Sequence, residues 1–271
     1  MMTIEQPAQV HDFDQYLSQI NAGNSAVNLS ADWMQGRSGF GGLVAALVYE
    51  SMRKQLTSSA PVRCLQVSFV GPVDDSPLEI SSEVLREGRN VSHVLGRGMQ
   101  NGVTKVLVQG SFGVSRESVL FVEPEKLVLA GDVTKANKMP YIKDVIPEFT
   151  KHFDFKYLTP FPFMGADSTY LEGMIRFAKA PSRITEAHIL GLVDSWPPTT
   201  LPMMKSACAA SSLSWTIEFV QPSPRLGVDE LALYRADIVD SRDGYGYARA
   251  KFANSEGELI AISQQTVTHF A

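Results

Sequence analysis

The sequence predicts an α+β protein made of two similar modules, in which two antiparallel sheets each wrap a central helix. Landmarks in the first half of the 271-residue chain recur in the same order in the second half. Each half also has one apolar helical segment followed by several segments of alternating, strand-like residues. One or two compact domains is the usual content of a chain of this length, so two fused modules fit it.

Two matched landmarks indicate the repeat. The segment Ser68-Phe69-Val70-Gly71-Pro72 ends one alternating stretch, and Glu218-Phe219-Val220-Gln221-Pro222 ends another, at an offset of 219 − 69 = 150. The segments 88–102 and 243–257 each span 14 residues from opening to turn, and their turns are offset by 257 − 102 = 155. Because the offset is nearly constant, we interpret the two halves as a duplication.

The first half predicts one helix and four strands. Leu43, Leu47 and Met52 lie at apolar positions of the helix, and glycines stand at its start. Asn101-Gly102 between alternating segments is a strong hairpin signal. The predicted elements are a helix over Gly41 to Leu56 and strands over Val62–Val70, Leu78–Glu87, Val91–Met99 and Val103–Val114.

The second half repeats this order. Its helix ends before Trp196-Pro197-Pro198, because proline cannot continue a helix. The predicted elements are a helix over Ile184 to Asp194 and strands over Leu213–Val220, Leu231–Val239, Tyr245–Ala253 and Leu259–Phe270.

The boundaries of the two modules follow from the segment that lies between the two halves of the chain. Leu120 to Pro162 is rich in proline and lysine and contains the opening strand of the second module. We therefore predict an N-terminal module over residues 1–120, a linker over 121–150 and a C-terminal module over 151–271.

Composition narrows the function classes. The net charge is −5 and the pI about 5.6, with lysine and arginine scattered along the chain, so nucleic acid is not an expected partner. The two cysteines, Cys64 and Cys208, are too few for a disulfide framework and are not at metal-ligand spacing, so no metal is expected. Unpaired thiols suit a reducing compartment.

The chain is expected to be cytoplasmic and not inserted in a membrane. The N-terminal stretch contains acidic residues and no apolar core of a secretory signal. The longest apolar stretch, Gly39 to Tyr49, is too short to cross a bilayer.

Five motifs occur in the same order as in a known family: Val67-Ser68-Phe69-Val70-Gly71-Pro72, Val84-Leu85-Arg86-Glu87-Gly88-Arg89-Asn90-Val91, Gly110-Ser111-Phe112-Gly113, Leu192-Val193-Asp194-Ser195-Trp196-Pro197-Pro198 and Leu259-Ile260-Ala261-Ile262-Ser263-Gln264-Gln265. With these motifs the chain resembles the acyl-CoA thioesterase II family over roughly residues 25 to 270. The resemblance implies a double-hotdog fold and hydrolysis of acyl-CoA, without a cofactor. We also expect a homodimer or a higher homo-oligomer, since the edges of hotdog sheets usually pair.

The resemblance further implies three catalytic residues in the second module. The family's aspartate falls on Asp194, its hydroxyl residue on Ser212 and its glutamine on Gln265. Serine replaces the commoner threonine, which keeps the hydroxyl but loses the rotamer restriction of a branched side chain. Gln264 is the neighbour of Gln265, and only one of the two can face the site because adjacent strand residues point to opposite faces.

These residue types suit thioester hydrolysis, which needs an activated water, a proton acceptor and donors for the carbonyl oxygen. Burial beside an acyl chain is expected to raise the pKa of Asp194 and make it a better base near neutral pH. The backbone N–H groups of Gly41 and Gly42, at a helix start, are candidate donors to the carbonyl oxygen.

The repeat predicts that only the second module is catalytic. Subtracting the local offset places Asp194 near Val44, Ser212 on Val62 (212 − 150) and Gln265 on Gly110 (265 − 155). Each polar residue is thus replaced by an apolar residue or glycine in the first module.

Three alternatives remain at this stage. A hotdog enoyl-CoA hydratase or dehydratase would pair an acid with a nearby histidine, but the next histidine after Asp194 is His269. A non-catalytic acyl-CoA-binding protein would share the fold, and a purely structural duplicated domain would bind no acyl ligand.

Overall fold

The computed structural model describes residues 12–270; residues 1–11, on which part of the expectation about a secretory signal rests, and residue 271 lie outside the described residues. The α-helices are α1 Phe13–Asn21, α2 Gly41–Gln55 and α3 Glu186–Asp194. The strands are β1 Ala26–Val27, β2 Met34–Gln35, β3 Ser38–Gly39, β4 Val62–Phe69, β5 Leu78–Glu87, β6 Val91–Gln100, β7 Val103–Gly113, β8 Asn137–Lys138, β9 Phe153–Tyr157, β10 Tyr170–Phe177, β11 Ala209–Phe219, β12 Ala232–Arg242, β13 Tyr245–Ala253 and β14 Leu259–Phe270.

Twelve strands form one antiparallel sheet in the order β1-β5-β6-β7-β4-β11-β14-β13-β12-β10-β9-β8. Ten strands, β1 to β10 in this order, are arranged symmetrically about the junction at which β4 of the first half pairs with β11 of the second half, and β9 and β8 extend the sheet beyond β10. The two predicted sheets therefore join edge to edge into one continuous sheet, while each half keeps its own helix.

The register at this junction supports the interpretation of a duplication. Gln66 of β4 pairs with Thr216 of β11, which is its own counterpart at the offset of 150 (66 + 150 = 216). Both strands also carry an irregularity at the same place, between Val62 and Cys64 in β4 and between Ser212 and Ser214 in β11. Two copies of one module related by an approximate two-fold axis would give this pattern.

The helices α2 and α3 form the centre of the core. Residues 42–49 of α2 and 187–193 of α3 are buried without interruption. A helix that is buried on all sides must be covered by other elements, and here the sheet and the second helix cover it. The two helices are antiparallel, because Asp194 at the end of α3 lies beside the start of α2, and Glu186 at the start of α3 interacts with Tyr49 of α2.

The expected α+β double-hotdog fold is confirmed, and most element positions agree with the sequence prediction. The Asn101-Gly102 turn has positive φ at both residues, +51° and +74°, as the hairpin prediction requires. The helix α3 begins at Glu186 rather than Ile184, since the side chains of Thr185 and His188 form a capping box there. The strand β11 begins at Ala209, four residues before the predicted start, and α1 and β10 were not predicted.

Among residues 12–270, no helix has the length and apolar character needed to cross a bilayer.

Candidate active site

Asp194 is the last residue of α3 and its carboxylate lies at the first turn of α2. A Cβ atom built on Gly41 would lie 2.8 Å from Asp194 Oδ2, and one built on Gly42 would lie 3.0 Å from Asp194 Cβ. Such close approach leaves no room for a side chain, which explains why glycines begin α2. The end of one module's helix is thus held against the start of the other module's helix.

Two donors bind this carboxylate. Gln265 Nε2 donates to Asp194 Oδ1 at 2.8 Å, and the backbone N–H of Gly42 donates to the same carboxylate. The N–H of Gly42 lies at a helix start, where the helix dipole also favours negative charge. The expected placement of Gly41 and Gly42 opposite Asp194 is therefore observed, and the backbone N–H of Gly42 faces the carboxylate.

The protonation of Asp194 is set mainly by burial. Burial raises the pKa of Asp194 from 3.8 to about 7, and the hydrogen bonds from Gln265 and Gly42 act in the opposite direction. The residue nevertheless keeps part of its surface exposed. A carboxylate with a pKa near neutrality is well matched to proton transfer at cellular pH.

Of the two neighbouring glutamines, Gln265 faces the interior. It pairs with Trp215 of β11 and Ala248 of β13, and Trp215 is buried, whereas Gln264 is exposed on the opposite face. The indole of Trp215 donates to the buried Ser263 Oγ at 2.9 Å, which fixes the register of β11 against β14. The sheet therefore directs the Gln265 amide toward the end of α3.

Ser212 lies on the same face, further along the sheet. It pairs with Val267, two residues beyond Gln265 on β14, and the irregularity between Ser212 and Ser214 returns Ser212 to the face of Trp215. In the described part of the chain, the Ser212 hydroxyl is hydrogen-bonded neither to Asp194 nor to Gln265. The structure thus brings Asp194 and Gln265 into contact. Ser212 lies on the same face of the sheet as Gln265, opposite Val267, two residues further along β14.

An aromatic cluster that sequence reasoning did not assign holds the end of α3. The Trp196 ring stacks on Tyr234 at 4.8 Å and lies 5.0 Å from the Tyr157 ring. Gly173 on β10 leaves the space for Trp196, since a Cβ there would lie 2.8 Å from Cη2 of the indole. The signal in the sequence is the position of Trp196 two residues after Asp194, before two prolines.

The corresponding place in the first module is filled. Gly110 occupies the position of Gln265, and the Met52 side chain lies 2.7 Å from a Cβ built there. Aligning the starts of α2 and α3 gives an offset of 186 − 41 = 145. At this offset Tyr49 of the first module is the residue equivalent to Asp194 of the second (194 − 145 = 49). The sequence-based match of Asp194 to Val44 was therefore wrong, because the helix offset differs from the strand offset. Tyr49 is buried and its ring stacks on Phe112.

Within residues 12–270, no group of three or more His, Cys, Asp or Glu side chains is placed to hold a metal ion.

The fold and the site together define a two-module hotdog protein with one buried carboxylate where its helices meet. Residues 124–269 match the family model for the acyl-CoA thioesterase C-terminal domain, and residues 29–113 match that for the acyl-CoA thioesterase N-terminal domain. The chain belongs to the acyl-CoA thioesterase family. The family expected from the sequence is confirmed.

Solved structures show the same fold over nearly the whole chain. A conserved protein of unknown function with hot dog fold from Alicyclobacillus acidocaldarius has a TM-score of 0.78 at 17% identity, covering 91% of this chain and 92% of that chain. The acyl-CoA thioesterase II from Mycobacterium marinum has a TM-score of 0.68 at 17% identity, covering 85% and 89%. The tesB protein of Mycobacterium avium subs paratuberculosis has a TM-score of 0.71 at 14% identity, covering 94% and 100%. No curated protein matches the sequence.

Proposed function

We propose that this chain hydrolyses acyl-CoA thioesters to a free carboxylic acid and CoA, with Asp194 as the general base. The observation that carries the proposal is the Asp194 carboxylate, which is largely buried, has a raised pKa and is hydrogen-bonded by Gln265 at 2.8 Å. Membership in the acyl-CoA thioesterase family supplies the substrate class.

In the proposed reaction a water molecule attacks the thioester carbonyl carbon while Asp194 accepts a proton from it. Gln265 holds the carboxylate through Oδ1, and Ser212 orients the water from the floor of the site. The C–S bond then breaks, and the CoA sulfur takes the proton from Asp194, which restores the carboxylate. The positive end of α2 at Gly41 favours the negative charge that develops on the carbonyl oxygen.

The test is the release of free thiol from a panel of acyl-CoA substrates by matched variants. Asp194→Asn should lower kcat by about 10²- to 10⁴-fold, which is the usual contribution of a general base. Gln265→Ala should lower kcat by roughly tenfold or more, since a hydrogen bond to a charged group is lost. Gln264→Ala and Ser214→Ala are the controls, because each is the exposed neighbour of a proposed site residue.

Binding separates the rival functions. Asp194→Asn should still bind acyl-CoA with an affinity close to that of the wild type. A wild type that binds acyl-CoA without releasing thiol would instead be a binding protein. Hydration of an enoyl-CoA by the wild type, with no thiol release, would favour the hydratase alternative. The histidine that a hydratase would use is His269, on the same strand as Gln265, but its Nε2 is 2.9 Å from the Thr200 hydroxyl rather than bonded to Asp194.

The proposed setting is a reducing, cytoplasmic compartment, with two or more copies of the chain associated. Both Cys64 and Cys208 are free thiols, which fits such a compartment. Light scattering coupled to size-exclusion chromatography would measure the mass of the assembly, and a monomeric mass would contradict the proposed association.

A further inference from the structure

Thioester hydrolysis needs a hydrogen-bond donor for the carbonyl oxygen, which gains negative charge when water attacks. Several side-chain donors around Asp194 are already engaged. Gln265 Nε2 donates to Asp194 Oδ1, and the Thr200 hydroxyl is bonded to His269. A further donor must face the same side of the sheet, keep its proton at the pH of the reaction and have no other partner.

Tyr234 of β12 faces the same side of the sheet as Gln265. Cross-strand partners point to the same face, and Gln265 pairs with Ala248, which pairs in turn with Ile238. Tyr234 is four residues from Ile238 on the same strand, and the register between them is regular, so alternation returns it to this face. Tyr234 is only 5% exposed, and its side chain therefore lies in the interior.

The end of α3 lies between Gln265 and Tyr234. Asp194, the last residue of the helix, is bonded to Gln265. Trp196, two residues later, stacks on the Tyr234 ring, with the planes 5° apart and the centroids 4.8 Å apart. Gly173 pairs with Tyr234 and leaves the space that the indole occupies. These contacts fix the Tyr234 ring beside the segment that carries the carboxylate.

The Tyr234 hydroxyl is a neutral donor within electrostatic reach of Asp194. Burial, and after it the charge of Asp194, raises the pKa of Tyr234 well above its ordinary value of 10.0, so the proton stays on the oxygen at the pH of the reaction. Among residues 12–270, no group forms a hydrogen bond with this hydroxyl. Since buried hydroxyls are usually hydrogen-bonded, a partner is expected here. An oxygen that becomes negatively charged is a strong acceptor for such a donor.

Tyr157 is a matched comparison in the same aromatic cluster. Its hydroxyl also lacks a partner within the described part of the chain, and its ring lies 5.0 Å from the Trp196 ring. However, Tyr157 lies on β9, two strands further from β14 than Tyr234. It is fully buried, and the charge that acts on it is that of Tyr234 rather than that of Asp194. Of these two hydroxyls, only that of Tyr234 interacts with the carboxylate.

We propose that Tyr234 is a further catalytic residue, whose hydroxyl donates a hydrogen bond to the thioester carbonyl oxygen while water attacks the carbonyl carbon. This inference rests on the proposed thioesterase function. The hydrogen bond strengthens as the oxygen gains negative charge, and it weakens again when the C=O bond re-forms and the C–S bond breaks. No proton leaves Tyr234, so Asp194 alone carries the proton from the water to the CoA sulfur.

Tyr234→Phe tests this role, because it keeps the ring and its stacking on Trp196 and removes only the hydroxyl. Loss of one donor to such an oxygen should lower kcat for thiol release by about 10²- to 10³-fold. KM should stay within about threefold of the wild type, because the hydrogen bond forms mainly in the transition state. The melting temperature should not fall, since the hydroxyl has no partner in the folded protein. Tyr157→Phe is the control, and its kcat should stay close to that of the wild type.

Binding of two substrate analogues gives a second measurement. A trifluoromethyl ketone analogue of acyl-CoA adds water to form a tetrahedral centre that resembles the transition state, whereas a thioether analogue has no carbonyl oxygen. Tyr234→Phe should bind the ketone about 10²-fold more weakly than the wild type does and should bind the thioether equally well. Equal affinity for the ketone, or a kcat that changes no more than in Tyr157→Phe, would overturn the role of Tyr234.

The outcomes also separate this inference from the proposed function. If Asp194→Asn loses thiol release and Tyr234→Phe keeps it, the hydrolase proposal stands and the role of Tyr234 is wrong. If the wild type releases no thiol from any acyl-CoA, the hydrolase proposal fails, and the role of Tyr234 fails with it.

Discussion

Replacing Asp194 by asparagine should stabilise the protein above about pH 7 while it lowers kcat by about 10²- to 10⁴-fold. The folded-state pKa of Asp194, about 7, lies above its ordinary value of 3.8. Ionisation of the carboxylate is therefore less favourable in the folded protein than in the unfolded chain. The wild type loses free energy of unfolding as the pH rises from about 4 to about 7, and the loss is constant above that range. Asparagine does not titrate and escapes this loss.

The magnitude follows from the difference between about 7 and 3.8. At about 1.4 kcal/mol for each pKa unit, full ionisation destabilises the fold by about 4 kcal/mol at most. Partial solvent contact of Asp194 reduces this figure, so about 2–4 kcal/mol is expected. Asparagine keeps one oxygen that can accept from Gln265 Nε2, but it replaces the other oxygen by an NH2 group, which cannot accept a hydrogen bond. That loss lowers stability by about 1 kcal/mol at every pH.

Urea unfolding of both proteins at pH 5 and pH 8 measures the effect. At pH 5 Asp194 is protonated in the folded wild type but mostly ionised in the unfolded chain, so about 1–2 kcal/mol of the loss is already present and the variant should be within about 1 kcal/mol of the wild type. At pH 8 the variant should gain about 1–3 kcal/mol relative to its pH 5 difference, because the loss continues up to about pH 7. An equal difference at both pH values would show that Asp194 does not titrate near neutrality, and the reasoning would be refuted.

Three further predictions concern neighbouring residues. Gly41→Ala should reduce kcat much more than it reduces the melting temperature, because the new methyl group would lie 2.8 Å from Asp194 Oδ2. A Gly41→Ala enzyme with wild-type activity would show that the carboxylate is not confined at this position. Ser212→Thr should keep thiol release and Ser212→Ala should lower it, and equal rates for both would remove Ser212 from the site. Burial lowers the pKa of His188 and its Nδ1 accepts from the Thr185 N–H, so protonation of this histidine below about pH 6.5 should destabilise the fold and oppose the gain that comes from Asp194. The melting temperature of His188→Gln relative to the wild type should therefore rise as the pH drops below about 6.5, and a difference that does not change with pH would show that His188 does not titrate in this way.

The helices and strands that the sequence predicted correctly are those with a strong local pattern of apolar residues or turn residues. The central helices are apolar along their length, and the long strands alternate or are joined by Asn-Gly and Asp-Gly turns. The helix α1 was missed because nine residues form a marginal helix on their own; Phe13, Tyr16, Leu17 and Ile20 stabilise it only when they pack on the core. The strand β10 was missed because both of its faces are covered, which removes the alternation.

The candidate site shows the same division. Alternation on β14 fixes that Gln264 and Gln265 point to opposite faces, but only the pairing with Trp215 shows which one is inside. Asp194 and Gly41 are far apart in the chain, and their contact depends on the antiparallel packing of α2 against α3. The sequence landmarks lie in strands and turns, so they do not give the offset between these two helices. The role of Gly42 as a donor to the carboxylate also follows from tertiary structure alone.

The most direct test is the pH dependence of kcat/KM for the best acyl-CoA substrate of the panel, measured as thiol release from pH 5 to pH 9. Hydrolysis requires ionised Asp194, so the wild-type value should rise with pH and level off with an apparent pKa near 7. In Gln265→Ala the inflection should move to higher pH, because the hydrogen bond from Gln265 lowers the pKa of Asp194. A profile that is flat across this range, or the same in Gln265→Ala as in the wild type, would contradict the assignment of Asp194 as the base.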